Sequence, residues 1–529
     1  MMGRMTSMTS PNRATWNVGL GIAACVALAL ASVDSRAQDA PPQPPKTEAA
    51  APEPAASKTE HEITIDGRTI AYTATVGWLV MKDDKGKPNA RFGYTAYTQG
   101  GDVDATRSPV TFAFNGGPGS SSIWLHMGIL GPRRVVIDDA SYAPPPPPRV
   151  VDNAYSVLDV TDIVLLDPVG TGFSKPLGDA KGEEFWGVDQ DIRSVGAFVK
   201  RWVTDNGRWA SPKYILGESY GGVRSAGLVH HMQSVHGMNF NGVVLVSPFL
   251  STVSGRDGVE IDLPHVLFLP TLAATAWYHG AVPEKPASLE AFLAEVERFA
   301  YDEYAPALMK GYAIPAGEKR AIASRLARLT GTSADYWEKA DLRVSHSQFL
   351  QELKRGERVI AGRIDSRFAG PAINPLGERM DYDPFFPAVG PAFRAAFFDY
   401  LRTRLAFSPE GEEYVVSASG LNWDWKHRQP GTGRGGDFTM PMANMVPDLA
   451  MAMTMNPGLH VLVQQGYYDV ATPHLAMKHD LDHLDVAPEA RRRIRVQHYE
   501  AGHMMYLHEP SAKLFRETLV SFIRGSDGD

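Results

Sequence analysis

Three segments of this chain combine residue types and spacings that support chemistry. Gly217-Glu218-Ser219-Tyr220-Gly221 sets a serine in a G-x-S-x-G frame, directly after an apolar run and before a helical pattern. A serine hydroxyl is a weak nucleophile until a base takes its proton and a carboxylate orients that base. The flanking glycines let the backbone make a strained strand-to-helix turn, so that the hydroxyl stands clear, and the helix start favours developing negative charge. Two later segments, Gln464-Gln465-Gly466-Tyr467-Tyr468-Asp469 and Tyr499-Glu500-Ala501-Gly502-His503-Met504, each follow another apolar run. They supply an acid and a histidine in the order Ser, acid, His that one known type of triad uses. His474, His498 and His508 compete with His503, and Asp480, Asp482 and Asp485 with Asp469. Spacing alone leaves those alternatives open. An oxyanion needs backbone N–H groups converging on one point. The N–H of Tyr220 is one by position, and the loop Asn115-Gly116-Gly117-Pro118-Gly119, free of bulk after a further apolar run, offers Gly117 as the second.

The elements that must position these groups are legible as short β-rich runs alternating with helical patterns. Val110 to Phe114, Ile163 to Leu166, Tyr214 to Leu216 and Val243 to Val246 read as strands, and Glu183 to Thr204 and Val223 to Val235 as helices. His460 to Val463 and Arg493 to Gln497 extend the series. Buried four-residue strands alternating with helices predict an α/β fold with a mainly parallel sheet covered on both faces. Ligands bind such sheets at the carboxyl ends of the strands. We therefore expect residues 59–250 and 441–529 to form one core, with the helix-rich stretch 251–440 inserted as a helical cap over that edge.

Composition closes other routes. The 529 residues carry 52 Lys+Arg against 60 Asp+Glu, net −8, which excludes a binder that depends on phosphate contacts; no nucleic-acid partner is expected. The single cysteine, Cys25, lies in an N-terminal leader, so the remaining chain has no disulfide and no thiolate nucleophile or metal ligand. No metal and no cofactor are expected. His479 and His483, four apart as helical zinc ligands can be, sit among Lys478, Asp480 and Asp482 and read as a solvated helix face. Pro144 to Pro148 reads as a stiff extended loop, and Gly431 to Gly436, which lacks a strand before it, as a surface segment rather than a phosphate loop.

The leader has the three parts of an export signal. Arg4 and Arg13 precede an uncharged apolar stretch from Val18 to Val33, and Ser35-Arg36-Ala37 offers small residues for cleavage before Gln38. The apolar stretch is shorter than a membrane span, so residues 1–37 are expected to leave as a signal peptide, without stable membrane insertion afterwards. A lipobox-like Ile22-Ala23-Ala24-Cys25 sits in the middle of the apolar run, where acylation is not expected. Losing three arginines and one aspartate moves the net charge from −8 to −10. Residues 38–58, rich in Ala and Pro, read as an extended linker. The absence of Asn-x-Ser/Thr and of further cysteines suits a periplasmic or secreted bacterial protein.

The longer motifs resemble those of a known family. Asn115-Gly116-Gly117-Pro118-Gly119-Ser120-Ser121-Ser122 resembles the N-G-G-P-G-C-S-S loop of the serine carboxypeptidases, and Asp167 to Ser174 their D-Q-P-V-G-T-G-F-S segment less one residue. Gly217 to Gly222 is similar to their G-E-S-Y-G-G elbow and Gly502-His503-Met504 to their G-H-M. The resemblance covers residues about 70–250 and 440–525. It implies an α/β-hydrolase fold, a Ser219-Asp469-His503 triad, and removal of C-terminal residues from peptides through an acyl-enzyme. It also implies that Asn115, the N–H of Gly116 and a protonated Glu218 receive the substrate's free carboxylate. A carboxyl donates to a carboxylate only while it keeps its proton, so peptide turnover is expected to favour acid pH.

Two departures stand out. Ser120 replaces the loop cysteine, so the insertion must be held by packing, and Ile129 precedes Leu130-Gly131-Pro132 where the family places a second Glu. Without that neighbour Glu218 is expected to ionise at lower pH, with Arg133 or Arg134 as alternative carboxylate donors. The competing readings are a serine esterase or acyltransferase on the same scaffold, and a non-catalytic binding protein. Small-ester turnover favours the first, and failure of an active-site phosphonate to label Ser219 the second.

Overall fold

The computed structural model describes residues 56–101, 104–256, 261–283, 285–431 and 438–526. The expected leader with Cys25, the linker up to residue 55 and Thr432 to Gly436 lie outside the described residues. Nine strands make the main sheet: β1 (Ser57–Ile65), β2 (Arg68–Lys82), β3 (Pro88–Gln99), β4 (Val110–Phe114), β5 (Asp162–Leu166), β6 (Lys213–Glu218), β7 (Gly242–Val246), β8 (His460–Gly466) and β9 (Ile494–Tyr499). Their spatial order is β1-β2-β3-β5-β4-β6-β7-β8-β9, with a two-residue strand, Lys175–Pro176, added on β3. From β5 through β9 every pairing is parallel, while β1, β2, β3 and β5 pair antiparallel. This is the α/β-hydrolase fold expected from the sequence.

The parallel strands lie where the apolar runs place them. All five residues of β4, β5 and β7 are buried, because helices cover both faces. Alternate residues feed two cores, Ala113 and Leu165 one side, Phe112, Phe114 and Val164 the other. The antiparallel block β1–β3 was not anticipated. Its β1–β2 turn is Asp66-Gly67, with φ of +48° and +76°, the two-residue geometry that matches strand twist. It begins at Ser57, inside the segment read as linker. Helix α1 (Val188–Asp205) buries Val188, Ile192, Val195, Val199 and Trp202 along one stripe. It starts later than the pattern from Glu183 suggests, because the Val188 N–H donates to Asp424 O at 2.9 Å and Gly182–Glu184 forms a separate 3-10 turn. Helix α2 (Gly221–His236) covers the expected Val223 to Val235 and ends at a left-handed Gly237.

Between β7 and β8 the chain does two different things. Helix α3 (Leu263–Tyr278) and the helices after it, up to Glu352, build a core of their own around Phe292, Val296, Leu326, Trp337 and Phe349. That core also takes in Tyr468 and Val470, the neighbours of Asp469. Helix α4 (Phe385–Thr403) instead joins one of the sheet's cores, where Phe385, Phe393, Phe397 and Tyr400 pack with Trp124 and Leu125. Helices α5 (Val446–Met455), α6 (His474–Asp482) and α7 (Glu509–Ser526) complete the layers. Among the described residues no helix is long and apolar enough to cross a membrane.

Candidate active site

Ser219 occupies the turn between β6 and α2 with φ of +63°, a left-handed conformation that L side chains rarely adopt. Three hydrogen bonds impose it: Ser219 N to Val246 O at 3.0 Å, and Gly222 N and Phe249 N to Ser219 O at 2.8 and 3.0 Å. A Cβ on Gly217 would lie 2.2 Å from Gly221 O and 2.3 Å from Ser225 Oγ, so the first turn of α2 closes over the strand end only because residue 217 is glycine. Glu218 and Tyr220 are buried on either side, leaving Ser219 as the partly exposed residue of the elbow.

Asp469 follows β8, is fully buried, and accepts four hydrogen bonds of 3.0 Å or less. The N–H groups of Ala471 and Thr472 reach Oδ1 at 2.9 Å; Thr472 Oγ1 at 2.6 Å and His503 Nδ1 at 2.7 Å reach Oδ2. His503 is held from both ends of its own peptide unit: its N–H donates to Ile364 O at 2.8 Å and its carbonyl accepts from Ser247 Oγ at 2.8 Å. The carboxyl end of β7 thus ties the Ser219 turn, through Val246, and the His503 loop, through Ser247, to one point. Burial pulls the His503 imidazole down, the Asp469 carboxylate and Glu218 push it up, Arg363 opposes them, and the net shift is upward. The competing side chains have other partners. His508 pairs with Ser511, His474 with Thr271, and His498 stacks on Tyr467. Asp480 is buried against Ser254 and raised to about 7, Asp482 pairs with Lys478, and Asp485 is exposed. His479 on α6 and His483 just past its end face each other with ring centroids 4.0 Å apart. No group of three or more metal-ligating side chains occurs among the described residues.

The Asn115–Gly119 loop lies flat on the elbow. A Cβ on Gly116 would sit 2.4 Å from Tyr220 N and 2.6 Å from Glu218 O. Among the described residues neither Gly117 N–H nor Tyr220 N–H has a protein acceptor. Asn115 is 1% exposed and fixed on three sides: Nδ2 donates to Glu218 Oε1 at 2.8 Å, Oδ1 accepts Leu125 N at 3.0 Å, and its carbonyl accepts Arg224 Nη1 at 2.8 Å. Arg224 is itself fully buried on α2, paired with Asp191 at 2.7 Å.

Glu218 keeps an upward push in the absence of a glutamate at 129. Burial raises its carboxyl to about 7, against the opposing pull of His503 and the hydrogen bonds from Tyr506 and Asn115, and Asp469 is a like-charged neighbour that adds to the rise. Burial and Asp469 therefore supply the upward push that Ile129 does not. Ile129 is 1% exposed and belongs to the core, in a π-helical turn over His126–Leu130, so its side chain serves packing. Arg133 pairs with Asp152, and Arg134 with Glu509 at 2.7 Å, so both alternative donors are engaged elsewhere.

The segment between β7 and β8 touches every one of these loops. Val470 N donates to Arg363 O at 3.1 Å and His503 N to Ile364 O, so residues 363–364 bridge the Asp469 and His503 loops. Asp365 Oδ2 accepts Gly502 N at 3.2 Å while paired with buried Arg367 at 2.6 Å. On the other side Ser417 bridges Ser120, and Trp423 and Trp425 set their rings edge-on to Tyr220, with centroids 5.4 and 5.8 Å away. Sequence reasoning missed Thr472, Arg224, Tyr506 and the 363–367 strap. Thr472 and Tyr506 each lie three residues after a candidate triad member, a local signal, whereas nothing in the sequence ties Arg224 to Asn115 or 363–367 to the triad loops.

An α/β-hydrolase fold carrying a serine elbow, a buried acid–histidine pair and a glycine loop beside them is what the structure presents. Residues 73–290 match the serine carboxypeptidase family model, which takes in the Asn115 loop and the Ser219 elbow. Serine carboxypeptidase-like 9 of Arabidopsis thaliana is 27% identical over 211 residues, 38% of this chain and 45% of that protein. Serine carboxypeptidase-like 36 of the same plant is 30% identical over 172 residues, 31% of this chain and 33% of that one. The matches thus span less than half the length of these curated relatives. The structure of a prohormone-processing carboxypeptidase from Saccharomyces cerevisiae superposes with a TM-score of 0.51 at 13% identity, over 86% of this chain and 91% of that one, a likeness of fold. Over residues 73–290 the chain is thus similar to the serine carboxypeptidases, the family its motifs resemble.

Proposed function

We propose that the protein is an exported serine carboxypeptidase that releases C-terminal residues from peptides. The observation that carries this reading is the meeting of a strained serine elbow, a histidine bonded to a buried aspartate, and a buried Asn115–Glu218 pair, all around one sheet edge. Ser219 Oγ attacks the scissile carbonyl as His503 Nε2 takes its proton, with Asp469 holding Nδ1–H and stabilising the imidazolium. The carbonyl oxygen, now anionic, is received by the N–H groups of Gly117 and Tyr220. His503 returns the proton to the departing amine, leaving an acyl-Ser219 that water, activated by the same histidine, hydrolyses. The leaving residue's carboxylate lies on Asn115, Gly116 N–H and neutral Glu218, so only a chain end fits. Residues 251–440 act as a cap that shapes this pocket, supported by their contacts with Val470, His503, Ser120 and Tyr220. Residues 1–37 act as the signal peptide for a periplasmic or secreted protein, and 38–58 as a spacer.

A second reading, an esterase or acyltransferase, is favoured by one observation: both Glu218 oxygens already accept hydrogen bonds, from Asn115 and Tyr506, which supports its ionised form. An N-blocked dipeptide, its C-terminal amide and its ester, compared across pH, separate the two. The carboxypeptidase reading expects turnover of the free acid that falls as pH rises through about 7, while the ester persists. Superimposable profiles for acid and ester would refute the Glu218 role, and failure of a phosphonate to label Ser219 would refute catalysis altogether.

A further inference from the structure

Tyr506 takes no part in the steps above, yet it is placed with unusual care. It lies three residues after His503, is 1% exposed, and donates from its hydroxyl to Glu218 Oε2 at 2.7 Å. Its ring enters through a gap that only glycine leaves: a Cβ on Gly128 would lie 2.3 Å from Tyr506 Cε2 and 2.7 Å from Cδ2. The far edge packs against Phe515, centroids 6.3 Å apart. A fully buried phenol is a poor substitute for phenylalanine unless its hydroxyl finds a partner, and here that partner is Glu218, the carboxyl proposed to receive the substrate's end.

We propose that Tyr506 is a positioning residue which, through its hydrogen bond to Glu218, sets the pH above which the site stops accepting a free carboxylate. The inference rests on the carboxypeptidase reading. A hydroxyl donating to a carboxyl oxygen stabilises the ionised form more than the neutral one. The phenol cannot ionise in competition, since burial and the Glu218 charge push it well above its usual range. The groups facing Glu218 are then accounted for. Burial holds it protonated and Asp469 assists; His503, Tyr506 and Asn115 favour the charge, leaving it near 7. Arg224 stands behind Asn115 and is neutralised by Asp191. Removing the Tyr506 hydroxyl deletes one of the three groups that favour ionisation, so Glu218 must hold its proton to higher pH. His503 responds in the opposite sense, because the Glu218 charge is one of the groups that raises it.

The test is Tyr506→Phe, which keeps the ring. A hydrogen bond to a charged group is worth about a tenfold change in proton affinity, so the alkaline limb of kcat/KM for a blocked dipeptide should move up by about one pH unit. The acid limb for the corresponding methyl ester should stay or move slightly down. A purely structural role would lower both profiles and move neither limb. Gly128→Ala, which displaces the ring instead of trimming it, should move the peptide limb in the same direction. Infrared difference titration of the Glu218 carboxyl, assigned by its loss in Glu218→Gln, reads the same shift without turnover. An unchanged carboxyl titration in Tyr506→Phe, or an unmoved peptide limb, overturns the proposal. A wild-type protein that cleaves esters but no free-carboxylate peptide at any pH overturns the carboxypeptidase reading, while the infrared shift still reports whether Tyr506 governs Glu218.

Discussion

His427 offers a direct measure of how the segment beside Tyr220 is held. It is 3% exposed and lies between two carboxylates, with Nδ1 on Asp189 at 2.7 Å and Nε2 on Asp448 at 2.9 Å. Both ring nitrogens donate only in the imidazolium. Burial pulls the ring down, but the two hydrogen bonds and two charges prevail and push it from 6.5 up to about 9. His230 stands 3.5 Å from the other Asp448 oxygen, and Arg428 N donates to Asp189 Oδ2 at 3.0 Å. Because the folded value exceeds the unfolded one, the stabilisation is whole below pH 6.5 and is lost as pH climbs through 9. At about 1.4 kcal/mol per pH unit this amounts to about 3 kcal/mol, a sizeable share of a typical domain's stability. The clamp ties the hairpin His427–Gln429/Phe438–Met440 to α1 and α5, just after Trp423 and Trp425. Urea unfolding of wild type and His427→Gln at pH 6.0 and 9.5 isolates the effect, since groups common to both proteins cancel. The variant should be clearly less stable at pH 6.0, and the gap should shrink by about 3 kcal/mol at pH 9.5. A gap that is constant across pH would refute the imidazolium and require a neutral ring between the two acids.

Other outcomes follow from the site. Ser219→Ala or His503→Ala should fold and lose about four or more orders of magnitude in turnover, and Asp469→Asn on the order of 10⁴, read by burst-free steady-state kinetics. A His508→Ala variant as dead as these, beside an active His503→Ala, would reverse the histidine assignment. Arg224→Met should cost about 3–5 kcal/mol in unfolding experiments by stranding buried Asp191, and should raise KM for free-carboxylate peptides by loosening Asn115. Ile129→Glu should destabilise the fold by several kcal/mol, measured by denaturation, without building a carboxylate site, because residue 129 is in the core.

Runs such as Val243 to Val246 are unbroken because both faces of a parallel strand are covered, so they declare themselves locally. Strands β2 and β3 alternate only loosely, carry Gly77 and Gly93, and gain their identity from pairing with each other, out to Tyr72 with Gln99, which no local pattern announces. The start of α1 shifted for the same reason: Asp424, more than two hundred residues away, takes the N–H of Val188.

By itself the sequence determined the parallel strand series, the elbow, the glycine loop and the order of serine, acid and histidine, since each is encoded in a few adjacent residues whose backbone demands are local. Which histidine meets which acid was decided only in three dimensions, by Thr472, Ser247 and Ile364 holding Asp469 and His503 face to face. The same is true of Glu218. Its neighbours Asn115 and Tyr506 come from positions 103 residues before and 288 after it, and its proton affinity is set by burial, a property of the assembled core. Ile129 carries the same lesson: the tertiary structure buries it in the core that also takes in Leu125, Leu130 and Tyr506.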